Sequence, residues 1–487
     1  MQNTINGWCR FVYMLADHGL GNANIIETGC RRRYYISRFT STKAKPQRTG
    51  SIMSFRFLIA KSIVCLLMLT TVSMAQSNFT GNGDGSTWND AANWDNGVPL
   101  GINANIGDTF TVNLASNQFV NETDIVGDQS TGTAILNHTT GSLDNAGWIK
   151  IGHNADNDGT YMGSGDAVIN YAVLFAASNG GNATIDLSGD AVLNGSGGFS
   201  VGLNPSAMTD AVINVADNAT INATDFNLGQ ATLTQSGGQV TASAWLAIGK
   251  DGGSGTYNIS GGSVTLTADW FTVGENQPGA LNISGDASVE ATLALGMIVG
   301  RDDNGAGTLE VTGSSASINV ADLRAGVDAR GLDSTATAIM SWIADAGGIS
   351  TVVSNDNSEF GAADTTLMVD LTAYAGSDDE FLLIDNAMPV SGTFDGLAEG
   401  SSIDVGSGNM ATISYIGGID GNDIVLTMSK AFLLGDVNCD GFVDLLDVAP
   451  FVDLLTEGIF EPKADINQDG FVDLLDVAPF VDLLSGG

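Results

Sequence analysis

Two twelve-residue stretches near the C-terminus carry the residue types and the spacing that wrap a hard cation. The first places Asp436, Asn438, Asp440, Phe442, Asp444 and Asp447 at its positions 1, 3, 5, 7, 9 and 12. The second repeats it 29 residues later with Asp465, Asn467, Asp469, Phe471, Asp473 and Asp476. Ca²⁺ takes six to eight oxygen ligands in a flexible shell. Side-chain oxygens at 1, 3 and 5, a backbone carbonyl at 7, a water-mediated contact at 9 and a carboxylate at 12 meet that demand, and Gly at position 6 (Gly441, Gly470) allows the sharp turn. Both stretches fill every slot, which predicts two Ca²⁺ sites. Asp at position 12, where Glu is usual, has a shorter reach. An acidic turn without metal is the competing reading.

The loops need something to hold them. Each runs into an apolar segment, 445–455 and 474–484, and residues 441–455 and 470–484 are identical over fifteen positions. Pro450 and Pro479 fall where a helix would start, a position that tolerates proline. The segment 430–435 is too short to be the helix that opens an EF-hand. Loop then helix, twice, at this spacing resembles a type I dockerin over 433–487. The resemblance implies a small Ca²⁺-folded module that plugs into a cohesin domain of another protein, often in polysaccharide-degrading systems. It implies contacts at loop positions 10 and 11, here Leu445, Leu446, Leu474 and Leu475, assisted by basic residues in the following helix. The sequence departs from that pattern: the segments carry Asp453 and Asp482 and no Lys or Arg. The alternative role of the leucines is to pack the two helices together.

The chain of 487 residues has a formal net charge of −38, distributed unevenly. Only Asp17 and Glu27 are acidic before Gln76, whereas ten of the 17 basic residues lie there; from Gln76 onward 7 basic and 53 acidic residues leave −46. Such a body repels phosphate backbones and excludes nucleic acid as a partner. It also disfavours anionic lipid. A hydrophobic share of 43% is too high for an acidic disordered chain. Residues 1–52 are basic and aperiodic, and read as upstream sequence translated from a start placed too early; a basic arm is the other reading. Met53 opens a short basic segment, 62–72 are apolar, and Ser73, Met74 and Ala75 set small residues at both positions a signal peptidase reads. Residues 53–75 therefore read as a secretory signal, with Gln76 the new N-terminus; a membrane anchor is the alternative. Trimming there removes Cys9, Cys30 and Cys65 and leaves Cys439 alone, so no intramolecular disulfide is expected. No later segment is apolar enough to span a membrane.

The body repeats about every 25 residues. A short apolar tripeptide ending in Gly recurs at Gly127, Gly152, Gly202, Gly229, Gly249, Gly274, Gly300 and, degenerately, Gly326, with a worn copy over Val173, Leu174, Phe175 and Ala176. One period, 255–274, shows the grammar. Tyr257 and Ile259 alternate, Gly261 and Gly262 turn, Val264 and Leu266 alternate, and after another bend Phe271 and Val273 alternate. These are three short strands of period two. No single copy can bury its apolar face, but stacked copies bury it continuously. The predicted fold class is therefore all-β: a parallel β-solenoid, or β-helix, of eight or nine three-strand coils over 76–330, capped at its start by 87–99 with Trp88 and Trp94. A β cap follows over 331–429, with strands at 366–371, 380–384 and 423–427, and a small α-helical, EF-hand-like module over 430–487. A sandwich or propeller is the competing arrangement; propeller blades are longer than this period. The stacking predicts one buried inward row through Val201, Leu228, Ile248, Val273 and Val299. The tryptophan-bounded opening, the 255–262 type of copy and the closing 421–427 are similar to autotransporter-associated β-helical repeat proteins exported by planctomycete-like bacteria. That resemblance covers about 80–428.

Catalytic groups on the solenoid are sparse. Only His138 and His153 are imidazoles there, and Lys150, Lys250, Arg301, Arg324 and Arg330 are its basic residues. Lys250 and Arg301, beside Asp251, Asp302 and Asp303, could meet on one face as a polysaccharide-binding or -cleaving edge; solvated loops with screened ion pairs are the simpler expectation. The calcium-binding repeat of β-rolls is absent. The sequence thus reads as a secreted or cell-surface, calcium-binding scaffold or adhesive protein that docks by its C-terminus, without a named catalytic residue. The alternative is a glycan-binding or glycan-cleaving subunit of an extracellular polysaccharide-degrading assembly.

Overall fold

The computed structural model describes residues 75–127, 131–203, 211–301, 305–327, 336–361, 365–407, 409–429, 434–438 and 442–485. The early-start and signal-peptide readings, other than Ala75, lie outside the described residues, as do Arg330, Asp302, Asp303, Cys439 and Asp440.

Each coil lays one strand on each of three faces. In the coil that 255–274 predicts, these are Gly255–Ile259, Ser263–Leu266 and Trp270–Val273. Every such strand pairs in parallel with its counterpart in the next coil, Tyr257 with Leu281, Val264 with Val289 and Val273 with Val299. Because the pairing repeats position for position, alternate side chains of all coils line up inward. The predicted row is present in full. It runs from Ile106 through Ile125, Ile151, Ala176, Val201, Leu228, Ile248, Val273 and Val299 to Ala325 and Phe360. All of these are buried. At roughly 1.5–3 kcal/mol for each large aliphatic side chain, this row and its two companions dominate the stability.

The residue after each row member is a corner, and at most of them it is glycine. At Gly300 the backbone turns through φ +69, and a Cβ would lie 2.3 Å from the Thr337 carbonyl oxygen of the following coil. Left-handed backbone and contact with the neighbouring coil coincide there, so only glycine fits without strain.

The solenoid has about eleven coils, not eight or nine: its first face alone is a ladder of 11 strands. Counting glycine tripeptides misses coils at both ends, where Gly107 follows Ile106 and Gly361 follows Phe360 without the full motif. Two corners use other residues in the left-handed region, Val126 at φ 51 and Ala177 at φ 50. Ala177 follows the worn copy, which is the genuine strand Val173–Ala176. The period also varies because Thr220–Leu228 and Gln239–Ile248 each run through a corner as one strand, with a register shift between Ala223 and Asp225. At about 4.8 Å per coil the stack is about 50 Å long.

Parallel pairing does not stop at residue 330. Thr337–Ile343, Thr365–Asp370 and Glu380–Asn386 all extend the ladders, so two strands assigned to a separate cap belong to the stack. The direction changes only afterwards. Asp423–Ser429 lies antiparallel to Glu380–Asn386, and Met410–Gly417 and Ser402–Asp404 follow antiparallel beyond it. At the other end Trp88 and Trp94 cover the first coil, edge to face at 4.9 Å. The indole of Trp94 donates to the Trp88 carbonyl at 2.7 Å. No helix among the described residues is long and apolar enough to cross a membrane.

Candidate calcium and docking site

The C-terminal module has its own small core of Val437, Phe451, Ala464, Ile466 and Phe480, separate from the solenoid core. Its two helices, α1 (Val448–Glu457) and α2 (Val477–Leu484), each start directly after a loop. Pro450 and Pro479 sit in the first turn, where the missing N–H costs nothing. Gly458 ends α1 in the left-handed conformation.

Position 12 of each loop is also the residue that begins the helix, and its side chain turns back into the loop. Asp447 accepts from Asn438 N–H and Asp444 N–H, both at 2.9 Å. Asp476 accepts from Asn467 N–H at 3.0 Å and Asp473 N–H at 2.9 Å. In the second loop Asp465 accepts from Asp469 N–H at 3.0 Å and Gly470 N–H at 2.8 Å. Position 12 is thus tied to the interior of both loops, and in the second loop the carboxylate at position 1 is tied there as well. Asp447 and Asp476 are fully buried, and Asp436 and Asp465 nearly so.

This donor set fits a hard cation. All side-chain ligands are oxygen, and among the described residues no cationic side chain forms a salt bridge with Asp447 or Asp476. A buried, unpaired carboxylate costs several kcal/mol, a cost a divalent ion would offset. Each carboxylate still has lone pairs beyond those its N–H partners use. Among the described residues no three acidic, histidine or cysteine side chains are gathered closely enough to hold an ion; the first loop's Asp440 lies outside that set. Ca²⁺ would be held by Asp436, Asn438, Asp440, Asp444, Asp447 and the Phe442 carbonyl, and by Asp465, Asn467, Asp469, Asp473, Asp476 and the Phe471 carbonyl. It would supply positive charge that orders the loops.

The leucine pairs do not pack the helices together. Leu445 and Leu446 are 81% and 67% exposed, and Leu474 and Leu475 are 78% and 64% exposed. The interior is filled instead by Phe451 and Phe480. Residues 434–480 match the family model of the dockerin type I domain. No curated protein and no solved structure matches the chain. Type I dockerin domains are generally calcium-binding, and dockerin domains bind cohesin domains. The exposed Leu pairs of this dockerin region fall at the two loop positions where the resemblance placed partner contacts. The side chains of Phe442 and Phe471 are exposed as well; the sequence reading used only their carbonyls, although an aromatic residue repeated in both loops was a visible signal.

On the solenoid, Lys250 and Arg301 are brought to one ring: Lys250 Nζ is 5.0 Å and Arg301 Cζ 4.5 Å from the Trp245 centroid. Arg301 also donates to both Glu275 oxygens at 2.8 and 2.9 Å. Arg324 lies 4.9 Å from the Trp270 centroid and donates to Asp322 at 2.8 and 2.9 Å. Lys150 sits 5.2 Å from Trp148. Burial raises the Asp322 carboxyl, with Arg324 pulling it back down. These ion pairs are neutralised internally. His138 is no surface base either: it is buried inside the coil with Nδ1 3.2 Å from the Tyr161 hydroxyl, and burial lowers its pKa to about 4. His153 packs against Phe175.

Proposed function

We propose that this chain is an exported, non-catalytic β-solenoid scaffold that docks to a cohesin-type domain through a C-terminal module carrying two Ca²⁺. The exposure of Leu445, Leu446, Leu474 and Leu475 in a dockerin-matching segment carries the reading, since four solvent-facing leucines have no structural task in the isolated module. The buried carboxylates of Asp447 and Asp476 support a metal in each loop. Export is supported by the first described strand, Gln76–Asn78, beginning at the residue expected to follow signal cleavage, and by the likeness to exported repeat proteins. The test is a pull-down of the secreted chain on immobilised cohesin domains with Ca²⁺ and with chelator. Capture that needs Ca²⁺, and that falls when Leu445→Ser/Leu446→Ser is combined with Leu474→Ser/Leu475→Ser, is expected. Capture by neither form would discard docking.

One observation favours a glycan-binding or glycan-degrading subunit as the second reading: the solenoid's four described basic residues all lie on or just past the third face, each over a tryptophan. A glycan array and hydrolysis assay on the chain separates the two.

A further inference from the structure

We propose that the partner's docking face is an apolar groove rimmed by lysine and arginine. This rests on the docking reading above and specifies the chemistry of what docks. Exposed residues of each half run from the turn before the helix along the helix as one stripe. In the first half it runs Leu445, Leu446, Ala449, Val452, Asp453 and Thr456, and in the second Leu474, Leu475, Ala478, Val481, Asp482 and Ser485. The spacing of three to four places Ala449, Val452, Asp453 and Thr456 on one side of α1 and Ala478, Val481 and Asp482 on one side of α2, opposite the buried Phe451 and Phe480, with each exposed leucine pair in the turn just before its helix. The alanine at the centre of each stripe lets a partner backbone or side chain approach closely. Each stripe therefore offers two large apolar residues at the loop end, a shallow middle, a valine, and a carboxylate beside it.

Charge decides what can cover this stripe. Residues 434–485 carry twelve acidic residues and one basic residue, and two Ca²⁺ ions would cancel only four of those eleven excess negative charges. That single cation, Lys463, lies off both stripes and reaches Glu461 at 3.9 Å. An acidic partner rim would set like charges against Asp453 or Asp482 in a drying interface, which disfavours association. A second copy of this chain would bring one acidic stripe against another, so self-association is opposed by the same term. A groove with Lys or Arg positioned to meet Asp453 or Asp482 satisfies both the apolar and the charged parts, and the acidic chain would steer such a partner in.

The experiment uses the full secreted chain with Ca²⁺ and two sets of purified cohesin domains, one with Lys/Arg and one with Asp/Glu rimming the dockerin-facing surface. Binding kinetics are measured from about 50 mM to about 500 mM NaCl. Three chains are compared: wild type, Asp453→Lys/Asp482→Lys, and Asp420→Lys/Asp404→Lys. The last makes the same charge change at exposed sites off the stripe. The wild type should bind the basic-rimmed set, with an association rate falling about tenfold across the salt range. The stripe reversal should weaken that binding at least about tenfold, transfer preference to the acidic-rimmed set, and leave calcium-dependent circular dichroism intact, while the control stays near wild type. Preference of the wild type for acidic rims, equal loss in the control, or a salt-independent rate overturns the partner chemistry while docking stands. A calcium-dependent dimer of the chain alone overturns it in favour of self-pairing. No binding to either set, with calcium-dependent folding intact, removes the docking reading and this inference with it.

Discussion

Phe451 and Phe480 stack ring on ring between the two halves of the C-terminal module, centroids 4.2 Å apart and planes 22° from parallel. They occupy equivalent places in the identical fifteen-residue segments, so the module's core is built around a contact between a residue and its own repeat. This pairing takes the interior and leaves the leucines outside.

Replacing one ring tests that division. Phe480→Ala should cost about 3–5 kcal/mol in a core this small and leave the module largely unfolded even with Ca²⁺. The solenoid core is a separate cluster, so its denaturant transition should not move. Urea unfolding followed by far- and near-ultraviolet circular dichroism reads both transitions.

Removing metal should act on the buried carboxylates first. With chelator, Asp447 and Asp476 are left as buried charges without a cation, and the helices they start should lose much of their circular dichroism signal. Isothermal titration should count two Ca²⁺ per chain, and Asp476→Ala should remove one of them or weaken it by about tenfold or more. Helicity indifferent to chelator, or a single site in the wild type, would contradict the two-loop assignment.

Val273 sits mid-row, fully buried in the hydrophobic core of the solenoid. Val273→Asp should destabilise by several kcal/mol and Val273→Ala by about 2–3 kcal/mol. The measurement is the shift in thermal midpoint of the β signal; a tolerated Asp would be incompatible with the buried row.

His138 gives a pH signature. Its folded pKa of about 4 lies below the ordinary 6.5, because burial favours the neutral ring. The unfolded chain then takes up a proton that the folded chain refuses between those values. The stability that the neutral ring contributes is complete above about pH 6.5 and is lost as pH falls towards 4, by about 2 kcal/mol at pH 5. His138→Gln should flatten the stability curve over pH 7 to 5, where few carboxylates titrate. An unchanged slope in that variant would place the sensitivity elsewhere.

The middle of the solenoid was legible because Val201 to Val299 repeat both their spacing and the glycine that follows. Its ends were not, because the coils at Ile106 and Phe360 keep the glycine after the row residue, Gly107 and Gly361, without the rest of the recurring motif. The strand Glu380–Asn386 reads the same in a parallel or an antiparallel setting, since its alternation reports burial and not direction. In the C-terminal module the loop ligands were legible from chemistry and spacing. Whether Leu445 and Leu446 face in or out was not, because both they and Phe451 are apolar at helical spacing, and only the stack with Phe480 decides which side is filled.

The position-for-position pairing of Tyr257 with Leu281 and of Val273 with Val299 makes the number of coils a free variable. Where the register is regular, a coil presents to its successor the same backbone ladder it receives from its predecessor. Excising or duplicating a whole coil between Gly-bounded corners, such as those at Gly274 and Gly300, leaves the strands on either side able to pair in the same parallel register. Reach can therefore be lengthened or shortened by about 4.8 Å at a time without redesigning either terminus. Under the proposed C-terminal docking, that makes distance from the anchor a heritable quantity, open to change by gene duplication.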